Sequence, residues 1–106
     1  MMTSQVWFVY LLGCRSGRVY TGVTPDLAAR IAKHQNGTGA MFTRLNRPEQ
    51  LLAAKAFPSK VEAMQLEYQI KRLGRSQKLL LASRWCEEYP LDKLAEQFPA
   101  LVEYVV

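Results

Sequence analysis

Residues 6–13 read VWFVYLLG, and this stretch limits the fold more than any other. Strand side chains alternate between two faces, here Val6, Phe8, Tyr10 and Leu12 on one and Trp7, Val9 and Leu11 on the other. Both sets are apolar, so the strand must be covered on both sides. A chain of 106 residues that is 49% hydrophobic can build one such core but not two. No apolar run approaches the ~20 residues that span a bilayer. The opening MMTSQVW lacks a basic stretch ahead of a long apolar one, so a cytoplasmic protein is expected.

Turn and cap signals divide the remainder. Arg15-Ser16-Gly17 reads as a turn and Arg18–Val23 as the returning strand of a hairpin. Thr24 is placed as the N-cap of a helix, with Pro25 at its first position and Asp26 in its first turn, ending near Asn36-Gly37. Residues from Gly37 to Gln50 show no sustained period and are expected to form a loop; Leu51–Phe57 is a third strand. Pro58-Ser59 stops that strand and caps a helix over about Lys60–Leu73; after a break at Gly74, a further helix runs from about Ser76 to Ser83. The expected fold class is α+β, β-β-α-β-α-α, with a mostly antiparallel three-stranded sheet flanked by helices.

Charge is distributed unevenly. Residues 1–84 hold thirteen Lys/Arg against four acids, whereas residues 85–106 hold Lys93 against five acids. We expect a domain over 1–84 and an acidic tail over 85–106, packed on the domain or on a second subunit. A basic body suggests a polyanionic partner. Cys14 and Cys86 have no second Cys or His at metal-ligand spacing, which argues against structural zinc and for thiols buried in the fold.

Polar residues at the core boundary are the candidates for chemistry. In the first helix, Leu27 and Ile31 define the buried stripe, and Arg30 and His34, at i and i+4, share its flank. His34 is the single histidine, and its usual pKa near ~6.5 lets it move protons at neutral pH. In the next helix Ala63, Leu66, Ile70 and Leu73 form the apolar stripe, with Glu67 turned toward it. Such a carboxylate needs a partner. Lys71 at i+4 is one, and a divalent cation taking one protein carboxylate is the other. Tyr10 and Tyr20 share a face only if the hairpin pairs even residues with even. A three-residue turn would do that and a two-residue turn would not.

Taken in order, these segments resemble the GIY-YIG nuclease family: Phe8-Val9-Tyr10, Tyr20-Thr21-Gly22, Asp26-Leu27, RIAKHQNG, GAMFTR and EYQIKRLGRSQK, from about Val6 to Leu81. The chain is most similar to the stand-alone single-domain bacterial (YhbQ-like) group, related to the Slx-type endonuclease domain. The resemblance implies the GIY-YIG fold and phosphodiester hydrolysis with one divalent ion, Mg²⁺ or Mn²⁺. It implies Tyr10, Tyr20, Arg30 and His34 as catalytic residues and Glu67 as the metal ligand. Phe8 stands where the name motif has Gly, Val9 and Thr21 where it has Ile, and residues 74–79 lack an Asn many relatives carry.

The expected function is a structure-selective, metal-dependent endonuclease in DNA repair or processing. Its partner is nucleic acid, DNA ahead of RNA, with no membrane and with a homodimer or protein partner as a further option. Arg44, Arg47, Lys71, Arg72, Arg75 and Lys78 are expected to contact phosphates. The alternative is a non-catalytic nucleic-acid-binding module with the same fold.

Overall fold

The structure is a computed structural model that describes residues 5–35 and 48–104. Three strands, β1 (Trp7–Cys14), β2 (Val19–Thr24) and β3 (Pro48–Phe57), form one sheet in the order β2-β1-β3. Both pairings are antiparallel, as expected, and the strand with two apolar faces lies at the centre. Helices α1 (Leu27–Gln35), α2 (Lys60–Lys71), α3 (Arg75–Glu88) and α4 (Leu91–Gln97), then a 3₁₀ turn (Pro99–Tyr104), complete an α+β fold.

The two faces of β1 form the two halves of the core. Phe8, Tyr10 and Leu12 pack with Leu27 and Ile31 of α1, and with Leu94 and Leu101 from the C-terminal segment. Val9 and Leu11 pack with Ala63 and Ile70 of α2, and with Ala82 and Trp85 of α3. The helix after Gly74 continues unbroken past Ser83 to Glu88, because Trp85 keeps the buried spacing begun by Ala82. Phe98 meets the Phe8 ring edge-on at 5.6 Å, holding the chain's end against the sheet.

The local signals were right in kind and displaced in detail. Ser59 caps α2 by accepting from the Glu62 amide at 3.2 Å, and its hydroxyl donates to the Glu62 carboxylate at 3.2 Å. For α1 the cap lies two residues later than Thr24. Asp26 Oδ1 accepts from the Ala29 amide, its carbonyl takes the first helical bond from Arg30, and Thr24 folds its hydroxyl onto Asp26. Pro25 thus precedes the helix rather than opening it. Strand β3 starts at Pro48, three residues earlier than its apolar run, since pairing with β1 supplies what propensity does not. A register shift opposite Leu11/Leu12 leaves Leu52 as the extra residue, so Leu52 and Ala53 both join the α2/α3 face.

The hairpin question turns on Gly17. Its φ of +89°, with Gly17 N donating to Cys14 O and Cys14 N to Arg18 O, makes Arg15–Gly17 a three-residue turn. Register follows: Tyr10 faces Gly22 and Leu12 faces Tyr20, so the two tyrosines share one side.

Candidate active site

Tyr10, Tyr20, Arg30 and His34 converge on that side, between the β1–β2 hairpin and α1. Leu27, Ile31 and His34 follow the helical i, i+4, i+7 repeat, so His34 belongs to the buried stripe rather than its flank and is 1% exposed. Tyr10, at the sheet centre, is fully buried, and its hydroxyl lies 2.8 Å from His34 Nε2. The half-buried Tyr20 ring closes the group, 5.0 Å from the imidazole and 6.1 Å from the Tyr10 ring. Arg30, partly exposed, lies close enough for its charge to act on both phenols, Tyr10 foremost.

Gly22 makes this approach sterically possible. It pairs directly with Tyr10, and a Cβ there would overlap the Tyr10 hydroxyl and come within 2.5 Å of its Cζ. The phenol occupies the volume a side chain at 22 would need.

Burial sets the protonation states. It pushes the Tyr10 phenol well above its ordinary range, Tyr20 adding to the shift and Arg30 opposing it. Burial, then the Arg30 charge, pulls His34 down to about 4, so the imidazole is neutral at pH 7. A guanidinium can only donate, so the Arg30 charge acting on the Tyr10 oxygen favours the arrangement in which the Tyr10 proton points to Nε2 and the imidazole proton sits on Nδ1. At rest the pair is a neutral donor and a neutral acceptor, already aligned.

The other candidates lie around the exposed edge of β2. A cavity of about 270 Å³ there is walled by Tyr20, Thr21, Lys71 and Lys78. Lys78 Nζ donates to Val19 O at 3.3 Å and Arg75 Nε to Gly17 O at 2.5 Å, so both cations also anchor the hairpin to α3. Arg72, the residue that ends α2, lies elsewhere, over the exposed Tyr68 ring at 5.9 Å. Arg44 and Arg47 fall outside the described residues, as do the end expected for α1 at Asn36-Gly37 and the GAMFTR segment. Sequence reasoning missed Arg18, beside Lys78 in an adjoining cleft, and Thr21, whose hydroxyl is buried without a partner among the described residues. A polar residue in an otherwise apolar strand pattern was the available signal for Thr21.

Glu67 sits at the core boundary, its side chain 17% exposed, and pairs with Lys71 at 3.4 Å. Among the described residues no three His, Cys, Asp or Glu side chains come together. The donors present fit an ion that takes one hard protein oxygen and completes its shell with water and phosphate. Lys71 is the more exposed partner, at 52%, and can swing away from the carboxylate at little cost.

Comparison with known proteins follows the same outline. The model of the GIY-YIG catalytic domain matches residues 6–79. A UPF0213 protein of Cupriavidus pinatubonensis is 43% identical over 84 residues, covering 79% of this chain and 93% of that one. One of Halalkalibacterium halodurans is 50% identical over 76 residues, 72% of this chain and 81% of its own length. The solution NMR structure of the UPF0213 protein from Bacillus halodurans superposes with a TM-score of 0.50 at 42% identity, covering 88% of this chain and 97% of that one. The chain belongs to the GIY-YIG catalytic-domain family, a nuclease superfamily, and within it to the single-domain bacterial UPF0213 group.

Proposed function

We propose that the chain hydrolyses phosphodiester bonds in nucleic acid, DNA ahead of RNA, selecting structure over sequence, with one Mg²⁺ or Mn²⁺ held at Glu67. The observation that carries this reading is the buried hydrogen bond from Tyr10 to a neutral His34 beside the Arg30 guanidinium. As a water attacks phosphorus, its proton passes to the Tyr10 oxygen while the Tyr10 proton passes to Nε2. The phenol stays neutral throughout, which suits a group whose pKa burial has raised. Charging a buried imidazole next to Arg30 is costly, and the negative phosphodiester docked on Arg30 and Tyr20 offsets that cost. What a cation at Glu67 supplies is neutralisation of charge on the leaving 3′ oxygen.

A role in DNA repair or processing fits a small catalytic unit of this kind. The second reading, a binding module without catalysis, draws on one observation: the Glu67 carboxylate already has Lys71 as its counter-ion. Glu67→Gln separates the two. Wild type and variant are assayed on branched and flapped DNA with Mg²⁺ or Mn²⁺. Hydrolysis by the variant should fall by orders of magnitude while its DNA affinity holds or rises, since one repulsive charge is gone. A wild type that cuts nothing on the panel gives the binding-module reading precedence; equal cutting by both proteins refutes Glu67 as the metal ligand.

A further inference from the structure

We propose that the pocket at the outer edge of β2, walled by Val19, Tyr20, Thr21, Lys71 and Lys78, is a subsite for a backbone phosphate other than the one cleaved. The inference deepens the nuclease reading and rests on it only for the source of the phosphate. Strand alternation separates the two positions. Tyr20 points to the α1 face with Tyr10 and His34, whereas Thr21, paired with Leu11, points to the α2 face. Strand β2 lies at the sheet's edge, so a nucleic-acid strand crossing that edge meets both sides, with the Tyr20 ring as their common wall.

The chemistry of the walls selects an anion. Lys71 and Lys78 both line one half-enclosed space, Lys78 fixed there by its bond to Val19 O. Burial, then the charge of Lys71, draws the Lys78 ammonium below its usual range, so the two cations are close enough to oppose each other. Thr21 is 2% exposed, and its Oγ1 has no hydrogen-bond partner among the described residues. A buried hydroxyl left so is a cost that native folds rarely carry without use. Ammonium groups offer donors alone, and the hydroxyl has its donor unspent. A ligand made of negative acceptor oxygens satisfies all three groups at once, which neither a cation nor an apolar ligand does. From there Lys78 leads into the cleft of Arg18 and Arg75, extending the positive track along the same edge.

The test uses the full-length ¹⁵N-labelled protein in EDTA, so that binding is read without cleavage. Inorganic phosphate, a nucleoside 5′-monophosphate and a short single-stranded DNA are titrated separately while the Thr21 amide and Lys78 ammonium resonances are followed. The oligonucleotide should shift both. Its affinity should drop about threefold in Thr21→Val, which keeps the side-chain shape, and about tenfold in Lys78→Met, with Lys78→Arg close to wild type. Unchanged affinity in Thr21→Val and Lys78→Met, or shifts confined to other residues, overturns the subsite. A mononucleotide bound as tightly as the oligonucleotide also overturns it, by making the pocket a free-nucleotide site. Cleavage is measured apart: a protein that cuts while these variants bind normally loses the subsite and keeps the nuclease reading. One that never cuts but shows the pocket shifts keeps the subsite and loses the nuclease.

Discussion

Gly22→Ala adds one methyl group at the point where β2 faces the buried phenol. That Cβ would overlap the Tyr10 hydroxyl and sit 2.5 Å from Cζ and 3.0 Å from Cε1. Real Cβ contacts are not made at such distances, and Tyr10, with no exposed surface, has no open side to retreat to. Overpacking of this kind costs about 1–3 kcal/mol. Displacing the ring also breaks the 2.8 Å bond to His34 and strands a buried imidazole acceptor, a further ~1–3 kcal/mol. The sum, about 2–6 kcal/mol, corresponds to a fall in Tm of roughly 10–30 °C for a domain of this size. Denaturant melts followed by circular dichroism measure it, and Tyr10→Leu, Gly22→Ala supplies the control. With the phenol already gone, the added methyl should cost under about 1 kcal/mol, a coupling that only direct contact produces. A single Gly22→Ala variant within about 1 kcal/mol of wild type would refute the claim that the phenol depends on the missing side chain.

Stability should fall with acid in a window set by His34. Its folded pKa of about 4 lies below the unfolded ~6.5, so between these values only the unfolded chain binds the proton, and about 3 kcal/mol is lost as pH drops from 6.5 to 4. Melts of wild type and His34→Gln at pH 7 and 4 isolate this loss, and parallel pH profiles would contradict it. Nucleic-acid binding should be chiefly electrostatic: with about three to five phosphates contacted, log K falls against log salt with a slope of roughly −3 to −4.5. A binding constant flat from low to moderate salt would rule that out. The acidic C-terminal segment should restrain binding at the basic surface. Because Leu94 and Leu101 are core residues, deleting it would unfold the chain, so the test neutralises exposed Glu87, Glu88, Asp92 and Glu96 instead. Tighter DNA binding at low salt is expected, and an unchanged Kd leaves the segment a packing role alone.

That the sheet is covered on both sides could be read from residues 6–13, because two apolar faces on one strand need packing above and below; the strand order could not, since it depends on pairings between distant segments. Caps were readable for the same local reason where one hydroxyl and one amide decide them, as at Ser59. They failed at Thr24, because Asp26, two residues on, caps the helix while Thr24 bonds to Asp26 itself. The register of Tyr10 against Tyr20 depended on the dihedral angle of one glycine, which composition does not encode. Helical phase placed Arg30, His34 and Glu67 near the core, yet not the depth of His34, because the Tyr10 hydroxyl that satisfies it comes from another element. Likewise Arg75 and Lys78 read simply as free cations, since the carbonyls of Gly17 and Val19 that they reach lie almost sixty residues away.

The position of Tyr10 joins inheritance of activity to inheritance of shape. Its phenol is at once the middle of the hairpin's core and, in the mechanism proposed, the link in the proton path, with no exposed surface of its own. Descendants of this chain cannot drift into inactivity there by quietly exchanging one surface residue, because any replacement must refill the volume above Gly22 and find the imidazole another donor. A catalytically silent relative that stays folded should therefore carry compensating changes at 22 and 34 together, and would be recognised by that paired signature rather than by the loss of tyrosine alone.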